Sequence, residues 1–334
     1  MTSNRRPTMR DVAEAAGVSP ALVSIIFRNA PGASEQTRQH VRDVAQRIGY
    51  VRDERARVLR NQRSTDIGVS FQTNQVFHSL LLDALYEGVE DTEYNLVLSA
   101  HSPNRREATA MGSLVSYRCG AVILLGPTLD GETIEQLSAG TPVIGVAEEL
   151  PAPHAWFATD DGPGFRDAIT HLVGLGHRDI AFATSPGSSG AQRREASYRA
   201  AMAEYGLPAR VEAAGMTEDD GARLAQRLIG AGGLPTAIIG FNDRCALGII
   251  DYCLRCGTRI PEDLSVIGVD DSEISRRFYA GLTSIAQDTR RMGRLALGRA
   301  LAELRDEVVD EATRGVQLPS ELVTRSSTAP AARA

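Results

Sequence analysis

No stretch of the 334 residues approaches the ~18 to 20 consecutive apolar residues that a membrane-spanning helix needs. The opening residues, MTSNRRPTMRDVAEAAGVS, lack the apolar core of a secretory signal, so the expected location is cytoplasmic. Cysteine is scarce: Cys119, Cys245, Cys253 and Cys256 are too few and too unevenly spaced for a disulfide framework, and are expected as reduced thiols. Cys253 and Cys256 form a C-x-x-C inside an apolar helical stretch. No second Cys or His pair lies nearby to complete a tetrahedral metal site, so they are expected as buried or half-buried small apolar residues. His154, His171 and His177 have no ligand spacing either and are expected at the surface or as caps. Phosphate-loop, H-E-x-x-H, G-x-S-x-G and dinucleotide glycine motifs are all missing, and Ser185 to Gly190 (SPGSSG) has the composition of a flexible loop. No cofactor, metal or catalytic residue is therefore expected, and the chain is not expected to be an enzyme. Lysine is absent altogether, which carries no functional reading.

What is present is an uneven charge. Residues 1–65 hold twelve Arg against six acidic residues, whereas the whole chain sums to −6, so a basic head is attached to an acidic body. A polyanionic partner for the head is the simplest use of that arrangement. With 43% apolar residues, the chain can bury a full core in more than one domain.

Thr8 and Asp11 form a capping-box pattern, and Met9, Val12, Ala13 and Ala16 then share one helical face. Gly17 is placed to end this helix, and Ser19 with Pro20 to start a second as N-cap and first residue. In the second helix Leu22, Val23, Ile26 and Phe27 face inward, which leaves Pro20, Ala21, Ser24, Ile25 and Arg28 outward. A third helix starts at the Ser34 cap, with Val41, Val44, Ala45 and Ile48 inward and Arg38, Arg42 and Arg47 on its other faces. Two short helices joined so tightly cross steeply, and a helix-turn-helix places the start of its second helix in the major groove.

The segment TMRDVAEAAGVSPALVSIIFRNAPGASEQTRQHVRDVAQRIGYVRDERARVLR resembles, without gaps, the head and hinge of the LacI/GalR family of transcriptional repressors. The resemblance implies that Pro20, Ala21 and Ile25 hold base-reading positions. It puts Ser19, Ser24, Arg28, Thr37 and Tyr50 near phosphates and Arg10 at a further DNA contact. It also implies a hinge helix over Asp53 to Arg60 that forms on operator DNA. There Leu59 matches a leucine wedged into the minor groove, and Ala56 the small residue before it. Ile25 departs from the Arg common in the family, so reading is expected to lean on thymine methyls, Arg10 and the hinge.

Beyond residue 65, short β-rich runs alternate with helical stretches. The runs are Ile67 to Phe71, Asn95 to Ser99, Ala121 to Leu125, Val143 to Val146, Ile180 to Ala183, Ala237 to Phe241 and Val266 to Val269. This rhythm predicts parallel sheets flanked by helices, arranged as two similar lobes. Ligands settle at the carboxyl ends of such strands, which singles out Phe77, His78, Asn242, Asp243, Asp270 and Asp271. Asp and Asn at strand ends are equally suited to capping a helix or turn. HLVGLGHRDIAF, AIIGFNDRCALG and DLSVIGVDDSE are similar to the family's sensor domain, which is periplasmic-binding-protein-like. By that resemblance Arg194 grips effector oxygens, and Asn242 and Asp270 are polar contacts to a small molecule, a carbohydrate or related metabolite. Ala147 and Met216 depart from a hydroxyl-binding Asp and a stacking aromatic.

The expected organisation is an all-α helix-turn-helix domain at 1–51, a hinge helix and linker at 52–65, an α/β effector-binding and dimerisation domain at 66–328, and a tail at 329–334. Lobe 1 is expected at about 66–157 and 288–316, and lobe 2 at 158–287 and 317–328. The tail has no leucine heptads, so a homodimer on pseudo-palindromic operator DNA is expected. A transport-linked sugar receptor, and an α/β enzyme using Asp270 or Asp271 as base, are the alternatives. The cationic head and missing signal argue against the first, and the missing nucleophile and cofactor motifs against the second.

Overall fold

The computed structural model describes residues 7–27, 30–50, 64–277, 281–310 and 313–332. The expectations for Arg28, Ala56, Leu59 and the hinge through residue 63 lie outside the described residues. The chain divides into two compact units, Met1–Arg63 and Ser64–Ala334.

The first unit contains helices α1 (Met9–Ala16), α2 (Pro20–Phe27) and α3 (Glu35–Arg47). Thr8 and Asp11 close the capping box on α1, and Gly17 ends it in the left-handed conformation at φ 65°. Ser19 Oγ accepts from Leu22 N at 3.2 Å, and Ser34 Oγ accepts from Thr37 N at 3.2 Å. Val12, Ala13, Ala16, Val23, Ile26, Val41, Val44 and Ala45 form the core, with Leu22 and Phe27 only half-buried at its margin. Arg38 corrects the outward placement expected for it. Its side chain is buried and its guanidinium donates to Ala30 O, because the chain leading into α3 leaves that carbonyl without a helical partner.

The second unit carries two six-stranded sheets. The first sheet has the order β11-β5-β4-β3-β1-β2, with β1 Asp66–Gln72, β2 Asn95–His101, β3 Ala121–Leu125, β4 Val143–Val146, β5 Ala155–Asp160 and β11 Gly315–Pro319. The second has the order β12-β10-β9-β8-β6-β7, with β6 Ile180–Thr184, β7 Arg210–Ala213, β8 Ala237–Ile239, β9 Ser265–Asp270, β10 Thr283–Ala286 and β12 Glu321–Val323. All pairings are parallel except β12 on β10. The strand order reverses between β1 and β3, and again between β6 and β8. These are the switch points at which the ends of parallel strands open a crevice.

The flanking helices are α4 (Val76–Val89), α5 (Glu107–Ser116), α6 (Gly131–Ser138), α7 (Asp161–Gly174), α8 (Ala191–Glu204), α9 (Glu218–Gly230), α10 (Asp243–Arg255) and α11 (Thr289–Leu304). Fully buried Val, Ile, Leu and Phe from both faces of each sheet make separate cores, as parallel strands covered on both sides require. The chain passes between the sheets after Asp160, between Ala286 and Thr289, and after Pro319. The first and third crossings come later than 157/158 and 316/317, because β5 and β11 stay paired up to Asp160 and Pro319.

Helices α9 and α10 touch backbone to backbone. A Cβ at Gly221 would lie 2.0 Å from Cys245 O, and one at Gly248 would lie 1.9 Å from Glu218 O. Two further expectations are corrected. Cys256 is exposed, although Cys119, Cys245 and Cys253 are buried, since the last turn of α10 turns that side chain to solvent. His154 and His177 are buried. His177 bonds Thr236 Oγ1 and Ala329 O at 3.0 Å each and His171 bonds Thr328 Oγ1 at 2.9 Å, so these rings staple residues 328–329 onto the second lobe.

Candidate functional site

Two surfaces stand out. On the first unit, Arg10, Ser19, Pro20 and Ala21 are exposed at the start of α2 and beside it, whereas Ser24 and Ile25 are half-buried. Small side chains at the first turn let a helix approach another surface closely, and the Ser19 cap fixes that turn rigidly. Two residues expected near phosphates have internal partners. Thr37 Oγ1 lies 2.8 Å from Ser34 Oγ, and the half-buried Tyr50 ring packs 5.5 Å from Phe27.

On the second unit, the carboxyl ends of both sheets meet across a cleft. Arg194, in the first turn of α8, is buried; it donates to Phe241 O at 2.6 Å and to Asp270 Oδ1 at 3.4 Å, with its guanidinium 4.8 Å from the Phe241 ring centre. Asp270 also accepts from Gln287 Nε2 at 2.7 Å, and Gln287 Oε1 accepts from Thr159 Oγ1 at 2.5 Å, so the chain of bonds reaches the first lobe. Arg194 Nε and Asp161 Oδ1 face each other at 3.7 Å, and neither has a hydrogen-bond partner. Buried polar atoms left without hydrogen-bond partners are expensive, although this pair is not alone among the described residues: Arg38, Ser70, His101 and Arg299 also carry one each.

Burial pushes the Asp270 carboxyl up to about 7 against the pull of Arg194, and burial likewise raises Asp161 despite both neighbouring arginines. Asp243 is pushed by burial to about 6, although it accepts from Ser272 N, Ser272 Oγ and Ser284 Oγ at 2.7, 2.6 and 2.6 Å. These bonds brace the turn after β9. That turn is itself strained: Asp270 and Asp271 have φ of 110° and 49°, and Ala147, at the end of β4, has 68°. Such backbone costs about 1 to 3 kcal/mol per residue and concentrates at ligand sites.

A cavity of about 580 Å³ opens here, bounded by Asp270, Asp271, Gln287, Asp288 and Glu321 from the strand ends and crossings, and by Leu80 of α4. Among the candidates, Asp270 lines it and Arg194 supports Asp270 from behind. Asn242 is committed to capping α10, accepting from Cys245 N at 2.8 Å. Phe77 belongs to the first-lobe core. His78 Nδ1 accepts from Gln72 N at 3.0 Å, and burial lowers its pKa to about 4. The ring is thus neutral with its proton on Nε2, which lies against Gly126.

The same cleft is latched at another edge. Glu148, after β4, accepts from Ser189 Oγ at 2.9 Å, Gly190 N at 2.7 Å and Arg193 NH1 at 2.8 Å, all across the cleft. The SPGSSG segment is therefore a carboxylate cradle in this structure. Met216 Sδ accepts from Gln75 Nε2 at 3.2 Å, and Arg244 reaches Asn74 O, which adds two more bridges between the lobes.

Sequence reasoning missed Glu148, Asp161, Arg193 and Gln287. Three of these follow strand ends. The rule that found Asp270 would have found Asp161 and Gln287 had AWFATD and TSIA been read as strands. Among the described residues no group of three or more His, Cys, Asp or Glu is placed to hold a metal, and no helix is long and apolar enough to cross a membrane.

Family models match residues 8–53 as bacterial regulatory proteins of the lacI family, and residues 169–328 as a periplasmic binding protein-like domain. The lactose operon repressor of Escherichia coli is 30% identical, over 96% of this chain and 90% of that protein. A LacI transcriptional regulator from a Rhodococcus species is 35% identical with TM-score 0.75, over 80% of this chain and 100% of that one. The lac repressor dimer bound to operator and the anti-inducer ONPF is 26% identical with TM-score 0.80, over 97% and 100%.

Proposed function

The chain belongs to the LacI/GalR family of bacterial transcriptional regulators, and we propose that it is a repressor that binds pseudo-palindromic operator DNA as a homodimer under the control of a small polar effector. It is a regulator rather than an enzyme. The observation that carries this reading is the exposed, rigidly capped start of α2, small at Pro20 and Ala21, on a head with six surplus positive charges in a chain whose remainder is acidic.

In this reading residues 1–51 are the DNA-binding domain, 52–65 the hinge, and 66–328 the effector-binding and dimerisation domain, at work in the cytoplasm. Pro20, Ala21 and Ile25 face base edges, and Arg10, Ser19, Ser24 and Arg28 hold phosphates nearby. Thr37 and Tyr50 sit at the margin of the contact, and Leu59, after Ala56, wedges the minor groove. A carbohydrate or related metabolite binds between the lobes, with Arg194 and Asp270 as its polar anchors and Phe77, His78 and Asn242 shaping the walls. A ligand changes operator affinity only if it binds one lobe arrangement more tightly than the other. Three chain crossings make a hinge between the lobes, and bridges such as Glu148 to Arg193 would be made in one arrangement and lost in another.

The test is fluorescence anisotropy of the full-length protein on duplex DNA at rising salt. Several arginine-phosphate contacts predict at least a hundredfold weakening between ~50 and ~200 mM salt. Salt-independent binding, or none at low salt, would overturn the DNA-binding reading.

A further inference from the structure

We propose that the effector carries an oxyanion, a carboxylate or phosphate monoester on a polar metabolite, and binds by displacing Glu148, a built-in stand-in seated in the same cradle. This rests on the effector reading above and adds to it the ligand's charge and the contact it must break.

Helix α8 supplies no cap of its own. Gly190, its N-cap, has no side chain, and no acidic residue lies in the first turn. The amides at such an N-terminus attract negative charge. Glu148 answers from the other lobe. One of its carboxylate oxygens accepts from Gly190 N at 2.7 Å and Ser189 Oγ at 2.9 Å, and the other from Arg193 at 2.8 Å. An amide, a hydroxyl and a guanidinium around one carboxylate are the donors that recognise a small oxyanion. Arg193 does not depend on Glu148 for its position, since it also donates to Ala147 O at 3.2 Å and to Asp161 Oδ2 at 3.3 Å.

A second observation, independent of the helix, marks the same seam. His78 is more than nine-tenths buried, and its Nδ1 is spent on Gln72 N. Its Nε2–H meets no acceptor among the described residues. A Cβ built on Gly126 would lie 2.9 Å from this nitrogen and 3.5 Å from Ser189 Cβ, so His78 and the cradle border one point from opposite lobes. Glu148 leaves the donor unused, although a carboxylate has lone pairs to spare. A ligand oxyanion on a different tether, or a phosphate with its third oxygen, takes up all four donors and so pairs the buried one.

Displacement fixes the sign of the ligand's charge. Expelling Glu148 without replacing it leaves the α8 N-terminus uncapped and one Arg193 donor unpaired. A neutral or cationic ligand therefore gains nothing by it, whereas an anion exchanges one negative group for another. The acidic side chain that remains, Asp161, is already paired with Arg193 at 3.3 Å and faces Arg194 at 3.7 Å. Glu148 has somewhere to go, because its side chain keeps 28% exposure and it follows β4 on a loop.

The test is calorimetric titration of the full-length protein and of Glu148→Gln with glucose, glucosamine, glucuronate, glucose 6-phosphate and inorganic phosphate in low-salt chloride buffer. Glu148→Gln keeps the shape of the internal competitor but weakens it. The acidic probes should then bind at least about fivefold more tightly than they bind the parent protein, while glucose and glucosamine gain nothing. A purely structural role for Glu148 predicts the reverse, a loss of affinity for every probe. In the Glu148→Gln background, Ser189→Ala and His78→Leu should each weaken the acidic probes relative to glucose by at least about threefold. Glucose binding with no acidic probe favoured, or acidic probes that bind Glu148→Gln no more tightly than the parent, would overturn the inference and leave the effector reading standing. Binding of no probe to either protein would remove the reading of a small polar effector, and this inference with it.

Discussion

Replacing Glu148 by alanine removes the carboxylate that the second lobe grips with three donors. Charge-assisted hydrogen bonds contribute about 1.5 to 3 kcal/mol each when well buried. The Glu148 and Arg193 side chains keep 28% and 21% exposure, so solvent screening places the whole latch nearer ~2 kcal/mol than the sum of its parts. That much moves an equilibrium between closed and open lobes by roughly 30-fold. Two assays on the full-length chain read it. Hydrogen exchange should report faster exchange of the Gly190 amide, which the carboxylate covers in the closed form. A double-mutant cycle of Glu148→Ala with Arg193→Ala, followed by thermal unfolding, should give a coupling of about 1 to 2 kcal/mol. The cycle is needed because Arg193 also bonds Ala147 O and Asp161, whose loss would otherwise be counted in the latch. Additive single effects together with unchanged exchange at Gly190 would refute the latch.

Other consequences are equally direct. Gly248→Ala forces a methyl against Glu218 O where two helix backbones touch, and should cost about 1 to 3 kcal/mol, lowering the melting temperature by roughly 4 to 10 °C; an unchanged melting temperature would mean the two helices separate freely. Asp270 has its carboxyl raised from 3.8 to about 7, so its neutral form favours the fold. The stability it contributes is complete below pH ~4 and is lost as pH rises through ~7. Asp270→Asn should therefore flatten the fall in melting temperature across that window, and parallel curves for the two proteins would contradict this. Arg194→Lys keeps the charge but loses the forked donor that bridges Phe241 O and Asp270, so effector affinity should drop at least about tenfold while retention on DNA is kept. An unchanged effector response would remove Arg194 from the site.

The helix ends of the head were legible because local chemistry sets them: Thr8, Gly17, Ser19 and Ser34 announce them through hydrogen bonds close in sequence. Arg38 escaped because its partner, Ala30 O, depends on how the loop folds back over α3, which a helical wheel does not contain. In the body, the buried central strands AVILL and SVIGVD read as β from composition alone. β5, β7 and β10 did not, because Thr, Ser, Arg and Glu at positions that pair or cross break the apolar run. The cleft was half visible for the same reason. Asp270 ends a strand that can be read, whereas Gln287 and Asp161 end strands that cannot. Glu148 and Arg193 meet only after two lobes far apart in sequence close on each other. No short-range pattern encodes that encounter.

The most direct test of the central claim, that the outward start of α2 reads duplex DNA, is selection of sequences from a randomised duplex pool by the full-length protein and by its Ile25→Arg variant. The account predicts an inverted repeat for both, with the variant moving one symmetry-related position in each half toward guanine. A pool that yields no enriched sequence, or the same repeat for both proteins, would contradict it.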